Sequence, residues 1–388
     1  ALGSNLSALW ILIANGWMQH PVGARFNPDT MRMEVSDFMA VIFNPVAQAK
    51  FVHTVSAGYV TGALFVLAIS AYYLLKGRHI EIAKRSMTVA ASFGLAASLS
   101  VVVLGDESGY TASENQKMKI AAIEAMWNTE PAPASFTLLG LPNQETHATD
   151  YAVRVPWMLG LIATRSISGE VQGINDLVAH AQERIRSGLI AYDALEKLRA
   201  DRDNAGEKAR LAAHGDDLGY ALLLKKIRPD VVDASDAEIA QAAWSTVPPV
   251  SPLFWSFRFM VGLGFFFIAL FAVAFYLASS RRLETSRAFL YVALLALPAP
   301  WVAAELGWYV AEVGRQPWVI EGVLPTFMAI SSLSAANVVT TLVGFIAFYS
   351  ILLIVDIYLM VRAVRIGPTT AGEAHPSELV SITPVAAE

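Results

Sequence analysis

The chain has 388 residues, of which 55% are hydrophobic and only 16% are charged. Because an average soluble domain carries about 25% charged residues, this composition excludes an ordinary water-soluble protein. The net charge of −5 offers no basic surface for nucleic acid, and the absence of cysteine excludes disulfides, thiolate metal sites and a catalytic thiol.

Six stretches with few or no charged residues predict six membrane-spanning helices, since a helix needs roughly 20 apolar residues to cross a bilayer. In chain order they cover residues 1–24, 51–75, 86–105, 259–280, 288–311 and 335–361. The predicted fold class is therefore all-α, a polytopic bundle of six transmembrane helices.

Residues 106–250 have a different composition, with 21 of the 33 acidic residues and 14 of the 28 basic residues. Apolar residues at spacings of three and four between Ile174 and Leu195 predict an amphipathic helix. We expect a soluble, mainly helical domain inserted between two spans. The expected organisation is transmembrane segments 1–105 and 251–366, the insert, and a disordered cytoplasmic tail, 367–388.

Lysine and arginine are concentrated in three short connections, and such residues favour the cytoplasmic side of a membrane. They are Lys76, Arg78, Lys84 and Arg85, then Arg281, Arg282 and Arg287, then Arg362 and Arg365. If these three connections are cytoplasmic, the predicted spans alternate in direction without conflict. This orientation places the insert and the loops 20–50 and 312–334 on the outer face.

Two candidate metal ligands lie at matching depth on separate predicted helices. His53 is at the outer end of the second span, and Met260 opens the fourth, next to Arg258. An imidazole and a thioether can be the axial ligands of a low-spin haem, and a guanidinium suits a haem propionate. The alternatives remain open: a hydrated interfacial histidine, a methionine that fills space, and an arginine that extends to the interface.

The fifth span contains two prolines and two acidic residues, Glu305 and Glu312. Prolines free backbone carbonyls that lipid cannot satisfy, so this span should be buried in protein or line a hydrated cavity. An ion pair with Arg315 is the structural alternative for Glu312. Asp356, in the last span, is expected to be an interface charge.

Five short motifs, in this order, resemble subunit I of the cytochrome bd-type ubiquinol oxidases over nearly the whole chain. They are GWMQ at 16–19, KFVHTV at 50–55, LGDESGY at 104–110, RFM at 258–260 and GRQPW at 314–318. The resemblance implies an enzyme, a quinol oxidase that uses O2 as electron acceptor and builds a proton gradient without pumping.

The same resemblance implies roles for individual residues. His53 and Met260 match the ligands of a low-spin haem b, and Glu312 matches the ligand of a high-spin haem b that works beside haem d. Lys119 and Glu124 match the quinol-binding residues of the outer loop, although without the family a solvated helix pair would be favoured. Arg258 and Arg315 match arginines near the haems, and Trp308 matches an aromatic residue packed among them.

The implied partners are an oxidase subunit II, a small single-helix subunit, ubiquinol, O2 and the lipid bilayer of the bacterial inner membrane. Family members have further helices before the point where this chain begins, and these carry a haem-ligating histidine and a glutamate beside haem d. The chain therefore resembles the downstream part of a longer protein. We expect it to lack part of the oxygen-reducing site, including the ligands of haem d.

Two other functions are compatible with the residues alone. One is a proton-coupled transporter that uses Glu305, Glu312 and Asp356, although such a transporter predicts an internal repeat, which the sequence does not show. The other is a haem-free scaffold subunit.

Overall fold

The computed structural model describes residues 2–30, 32–166 and 168–368, and it confirms the mainly helical fold class. The helices of the first half are α1 Leu2–Gln19, α2 Phe38–Ile42, α3 Pro45–Lys76, α4 Ile80–Asn115, α5 Lys117–Ile123, α6 Met158–Thr164 and α7 Ile174–Ala200. Those of the second half are α8 Ala205–His214, α9 Leu218–Leu222, α10 Asp236–Trp244, α11 Val250–Ser279, α12 Arg287–Leu295, α13 Ala299–Val313 and α14 Ala335–Ile366. Three antiparallel hairpins pair β1 Ala24–Asn27 with β2 Arg32–Val35, β3 Phe136–Asn143 with β4 Ala148–Val155, and β5 Trp318–Ile320 with β6 Leu324–Pro325.

Five helical segments of the described chain are long and apolar enough to cross a membrane, against six predicted spans. They are Phe38–Lys76, Ile80–Asn115, Val250–Ser279, Arg287–Val313 and Ala335–Ile366. The remaining candidate is α1, whose 18 residues include polar side chains, among them Asn5 and Asn15, that lower its mean hydropathy.

The fifth span is broken at its prolines. Helix α12 ends at Leu295, and α13 begins at Ala299 with Pro300 in its first turn. Proline is tolerated there because the first N–H groups of a helix have no acceptor within it. The break sets the direction of α13, which contains Glu305 and Glu312.

The transmembrane core is formed by α3, α4, α11 and α12. Helix α4 packs against both α3 and α11, and α12 packs on α3. The core includes Leu64, Leu67, Met87 and Phe271, all fully buried. A Cβ atom at Gly94 would lie 2.3 Å from the Phe271 ring, so the glycine permits the close packing of α4 against α11.

The insert has its own core, which includes residues of α5 and of the first turns of α11. The predicted amphipathic helix is present as α7, and Ile174, Val178 and Ile185 of its apolar stripe are buried. Helix α4 continues to Asn115, past the expected start of the insert, and the β3–β4 hairpin adds a strand pair to the mainly helical insert.

The three basic connections meet at one end of the bundle, which we call the inner end. Lys84 forms a salt bridge of 2.6 Å with Glu284, and Arg78 donates to the carbonyls of Arg365 and Ile366. The opposite, outer end holds the insert. This arrangement agrees with the prediction that all three basic connections lie on the same side of the membrane. The predicted disordered tail, 367–388, lies outside the described residues from position 369 onwards.

Candidate functional site

Lys119 is buried on the short helix α5, with 6% of its surface exposed. Its Nζ atom donates to the side-chain oxygens of Gln116 at 2.7 Å and Gln19 at 3.2 Å, and to the carbonyl of Ala311 at 3.0 Å. Burial, together with the nearby positive charge of Lys50, lowers the pKa of Lys119 to about 7. Lys119 is therefore a buried lysine, not the solvated lysine that the sequence alone favoured.

Glu124 follows α5 directly and is paired with Arg258 of α11. Glu124 is 2% exposed, and Arg258 Nη2 donates to its Oε2 at 3.1 Å. Burial raises the pKa of Glu124 to about 7, although the guanidinium opposes the rise. Arg258 also donates to the Ile123 carbonyl at 2.5 Å and lies over the Phe254 ring, so its charged group is enclosed by protein instead of extending to the membrane interface.

A chain of hydrogen bonds between side chains joins Glu312 to Lys119 through α1. Asn15 Nδ2 donates to Glu312 Oε1 at 2.9 Å, and Asn15 Oδ1 accepts from Gln19 Nε2 at 2.8 Å and from Lys50 Nζ at 3.0 Å. Gln19 in turn accepts from Lys119. These hydrogen bonds therefore connect a candidate haem ligand, Glu312, with a candidate quinol-binding residue, Lys119.

Glu312 forms the ion pair with Arg315 that the sequence offered as an alternative to metal ligation. Arg315 Nη2 lies 2.5 Å from Glu312 Oε2. With the bond from Asn15, each carboxylate oxygen accepts one hydrogen bond. A carboxylate has about four acceptor sites, so this pairing still leaves lone pairs on both oxygens.

A cavity of about 1270 Å³ lies between the insert and the segments that follow α1 and α13, and Lys119, Arg315 and Glu321 line it. Gln116 also lines the cavity, and its buried Nε2 atom has no hydrogen-bond partner among the described residues. The Gln116 side chain faces the carboxylate of Glu321, which lines the same cavity.

Glu321 also lines this cavity, and its negative charge interacts with the positive charge of Lys119. No sequence pattern marked this residue. Burial raises the pKa of Glu321 to about 7, although Lys119, Arg184 and Arg315 oppose the rise. Its backbone N–H donates to the Met18 carbonyl at 2.8 Å, which fixes the β5–β6 turn to the end of α1.

His53 and Met260 lie on α3 and α11, both of which pack against α4. The His53 ring lies close to Gly105 of α4, and its buried Nδ1 atom has no hydrogen-bond partner in the described chain. The Met260 sulfur lies against α13, where a Cβ atom at Gly307 would be 3.0 Å away.

Comparison with known proteins identifies the family. The model of the family described as cytochrome bd terminal oxidase subunit I matches residues 1–368. The chain belongs to this family. It is 41% identical, over 97% of its length and 74% of the relative, to cytochrome bd-II ubiquinol oxidase subunit 1 of Escherichia coli (strain K12). It is 28% identical to cytochrome bd ubiquinol oxidase subunit 1 of Bacillus subtilis (strain 168), over 95% of this chain and 66% of the relative.

A solved structure has the same fold. The bd oxidase from Geobacillus thermodenitrificans matches with a TM-score of 0.69 and 24% identity, over 95% of this chain and 68% of that chain. Members of the cytochrome bd subunit I family are haem-binding membrane proteins of a terminal respiratory oxidase, an oxidoreductase that works with other oxidase subunits. The family membership confirms the resemblance and the enzyme class, and it favours the oxidase over the transporter.

The surroundings of His53 and Met260 fit a haem of this family. Neither side chain has its ligating atom engaged in a hydrogen bond in the described part of the chain. Gly58 and Gly262, on the same two helices, face open space, since a Cβ atom at either would meet nothing within 4 Å. Free donor atoms beside uncrowded backbone are what a flat macrocycle requires.

The other charged and aromatic candidates of the spans are not enclosed by the described chain. Trp308 is 62% exposed, and Glu305 and Asp356 are also exposed. The described hydrogen-bond partners of Lys119 include none of these three residues.

Proposed function

We propose that this chain oxidises ubiquinol at its outer end and passes the electrons through two haems b to haem d, where O2 is reduced to water. The single observation that carries the proposal is the pair Lys119 and Glu124. Both are buried at the short helix α5, Lys119 within it and Glu124 directly after it. Glu124 is paired with Arg258, and Lys119 lines a cavity large enough for a quinol head group. Burying ionisable groups costs free energy, and such groups are concentrated at functional sites.

Oxidation of a quinol releases two protons and two electrons, so the site must bind two hydroxyl groups and accept their protons. Lys119 would hold one quinol oxygen by a hydrogen bond. Glu124, with its raised pKa, would accept a proton, and Arg258 would stabilise the carboxylate before the transfer. Groups with a pKa near the working pH are the most efficient in general acid–base catalysis.

His53 and Met260 would hold the low-spin haem b, and Glu312 the high-spin haem b. When bound, these haems supply the one-electron acceptors that a quinol cannot find in side chains. Arg315 would keep Glu312 ionised and oriented, and Arg258 would place a positive charge near the outer haem. Trp308 would pack among the haems, and the ligands of haem d would come from outside residues 1–388.

We further propose that the insert is periplasmic, in the inner membrane of a bacterium, so that protons from quinol are released outside. Protons for water formation would be taken up from the cytoplasm, which would build a gradient without a pump. The proposed partners are an oxidase subunit II and a small single-helix subunit. Exposed apolar residues along α14 and on α13 provide surface for lipid or for such subunits.

The test uses the membrane-embedded oxidase that contains this chain. Glu124→Gln should lower the kcat of quinol oxidation by at least about 100-fold, because the proton acceptor is lost, while the reduced-minus-oxidised haem spectrum is unchanged. Glu145→Gln, at an exposed carboxylate of the β3–β4 hairpin, is the matched control and should behave like the wild type. Wild-type turnover in Glu124→Gln would refute the assignment.

The haem ligands have a separate test, a spectrum of dithionite-reduced membranes. His53→Ala and Met260→Ala should each abolish the low-spin b-type signal. A colourless wild-type protein, or a variant with an unchanged signal, would contradict the proposal.

A further inference from the structure

The β3–β4 hairpin and the following helix α6 carry exposed apolar side chains, although the insert as a whole is rich in charge. Six of these side chains, between 49% and 87% exposed, form what we call the hairpin patch: Leu139, Leu141, Tyr151, Val153, Trp157 and Leu161. Leu139 is directly opposite Val153 in the strand register, and Leu161 lies one helical turn after Trp157. Exposed apolar patches of this kind mark contact with a membrane or with another molecule.

Hydrogen bonds at both ends of β3 fix the hairpin along the first turns of α11. Next to the hairpin turn, Gln144 Oε1 accepts from the backbone N–H of Val250 at 3.2 Å. At the other end of the strand, the Thr137 carbonyl accepts from Arg258 Nε at 2.9 Å. Val250 and Arg258 are eight residues apart, which is about 12 Å of helix. Strand β3 therefore runs beside α11, with its first residues at the level of Arg258.

The first residues of β3 and helix α6 both lie at the outer boundary of the apolar spans. Arg258 directly precedes the charge-free run 259–280 of α11. Helix α6 packs against α4, and the Cζ atom of Arg165, which follows α6, lies 4.1 Å from the centre of the Tyr110 ring. Tyr110 is five residues, about 7.5 Å of helix, beyond the charge-free run 86–105 of α4. Two spans therefore place this end of the hairpin within one or two helical turns of the bilayer's apolar core.

The polarity of the hairpin changes with distance from that boundary. Its turn, residues 143–147, is polar, and the exposed Asp150 of β4 lies in the half of the strand next to the turn. The other half leads to Trp157, and its cation, Arg154, is paired with Glu130 at 2.7 Å. The polar end of the hairpin is therefore the one farther from the apolar spans.

We propose that the hairpin patch lies in the outer interface of the lipid bilayer and anchors the insert to the membrane surface. Tryptophan and tyrosine are enriched at membrane interfaces because their rings are apolar while their N–H or O–H group can bond to headgroups and water. Tyr151 and Trp157 occupy this region, and the aliphatic members of the patch contact the outermost acyl carbons. The bilayer is the occupant that the position favours, because the adjoining turns of α4 and α11 also expose apolar side chains, among them Val103 (69%) and Phe259 (60%).

The same anchor bears on the buried ion pair of the outer end. Arg258 donates to the Thr137 carbonyl of β3 and is paired with Glu124. A hairpin fixed in the interface therefore holds the Arg258–Glu124 pair at a constant depth relative to the membrane.

The experiment attaches a fluorescent label to the hairpin of the intact oxidase in lipid nanodiscs. The chain contains no cysteine, so Val153→Cys introduces its only thiol, and wild-type oxidase treated with the same label measures the background from other subunits. The matched control is Glu145→Cys, at an exposed position of the polar turn. A nitroxide near the headgroup end of the lipid acyl chain should quench the Val153→Cys label at least about 3-fold more strongly than the Glu145→Cys label, because only the first lies at the interface. Iodide dissolved in the water should quench the two labels in the opposite order.

Equal quenching of the two labels by the lipid nitroxide would overturn the proposal. A Val153→Cys label that neither quencher reaches would also overturn it, since the patch would then be covered by protein, such as another oxidase subunit. If Val153→Cys loses its haem spectrum, Leu161→Cys on α6 takes its place, with the same expected order of quenching. These measurements do not depend on quinol oxidation, so the proposed function stands or fails separately, through Glu124→Gln.

Discussion

At the outer end of the bundle the charged side chains are enclosed by protein, whereas at the inner end they lie at the surface. The Arg258–Glu124 pair has side chains that are only 7% and 3% exposed, while Lys84 and Glu284 are 35% and 42% exposed. Both pairs join segments that are far apart in the sequence. Burial strengthens a charge pair but also makes an unpaired charge costly, so the two ends should respond very differently to the loss of one partner.

The largest effect should come from Arg258→Leu, which leaves the Glu124 carboxylate buried without its cation. We expect the free energy of unfolding to fall by about 3–5 kcal/mol, measured by denaturant unfolding in mixed micelles. The double variant Arg258→Leu/Glu124→Leu should recover much of this loss, since no charge then remains buried. A double variant as unstable as the single one would show that packing, not charge, holds this contact.

The next effect concerns Asn15, which joins Glu312, Lys50 and Gln19. Asn15→Leu should cost about 1–3 kcal/mol for each buried group that loses its partner and finds no water. Asn5→Leu, at an exposed position of the same helix, is the control. Equal stability of the two variants would contradict the view that the hydrogen-bonded chain supports the outer end.

A smaller effect should appear as a pH dependence of stability. The pKa of Glu321 is raised to about 7 in the folded chain, so the folded state holds its proton more tightly than the unfolded state does. Stability contributed by this group is therefore present at low pH and lost as pH rises from about 4.5 to about 7. Glu321→Gln should flatten that fall in thermal unfolding, and an unchanged slope would contradict the raised pKa.

The smallest effect should be at the inner end, where Lys84→Ala removes the salt bridges to Glu284 and Glu81. We expect a loss below about 1 kcal/mol, because exposed pairs are screened by water and salt. Repeating the unfolding at high salt should remove most of the difference between the variant and the wild type. A loss as large as that of Arg258→Leu would remove the distinction between the two ends.

The parts of this structure that could be predicted are those specified by patterns among residues close in sequence. Charge-free runs gave the long helices, and the apolar spacing gave α7. The β3–β4 hairpin was missed because register shifts at Thr137, Leu139 and Leu141 disturb the alternation that identifies a strand. Helix α1 carries no charged residue, which predicted a sixth span, but its polar side chains give it a lower hydropathy than the other five.

The site was predicted only in part, because its contacts join distant segments. Lys119 and Glu124 came from motif resemblance. Asn15 and Glu312 are 297 positions apart, and Lys119 and Ala311 are 192 apart, so no local pattern could pair them. The one local signal was two polar residues four apart in α1, Asn15 and Gln19, within an uncharged run. Glu321 lies in a turn, where an acidic residue is ordinary.

Helix α14 is held to the rest of the chain mainly at its last turn. Tyr73 and Arg78 donate to the carbonyls of Val364, Arg365 and Ile366, which a helix terminus leaves free, and Val364 alone in this helix is not exposed. The 32 residues make about 48 Å of helix, more than the roughly 30 Å of a hydrocarbon core. Since no neighbour within the described chain packs along its length, its tilt is set by hydrophobic mismatch or by another subunit, and bilayer thickness should change that tilt without disturbing the outer end.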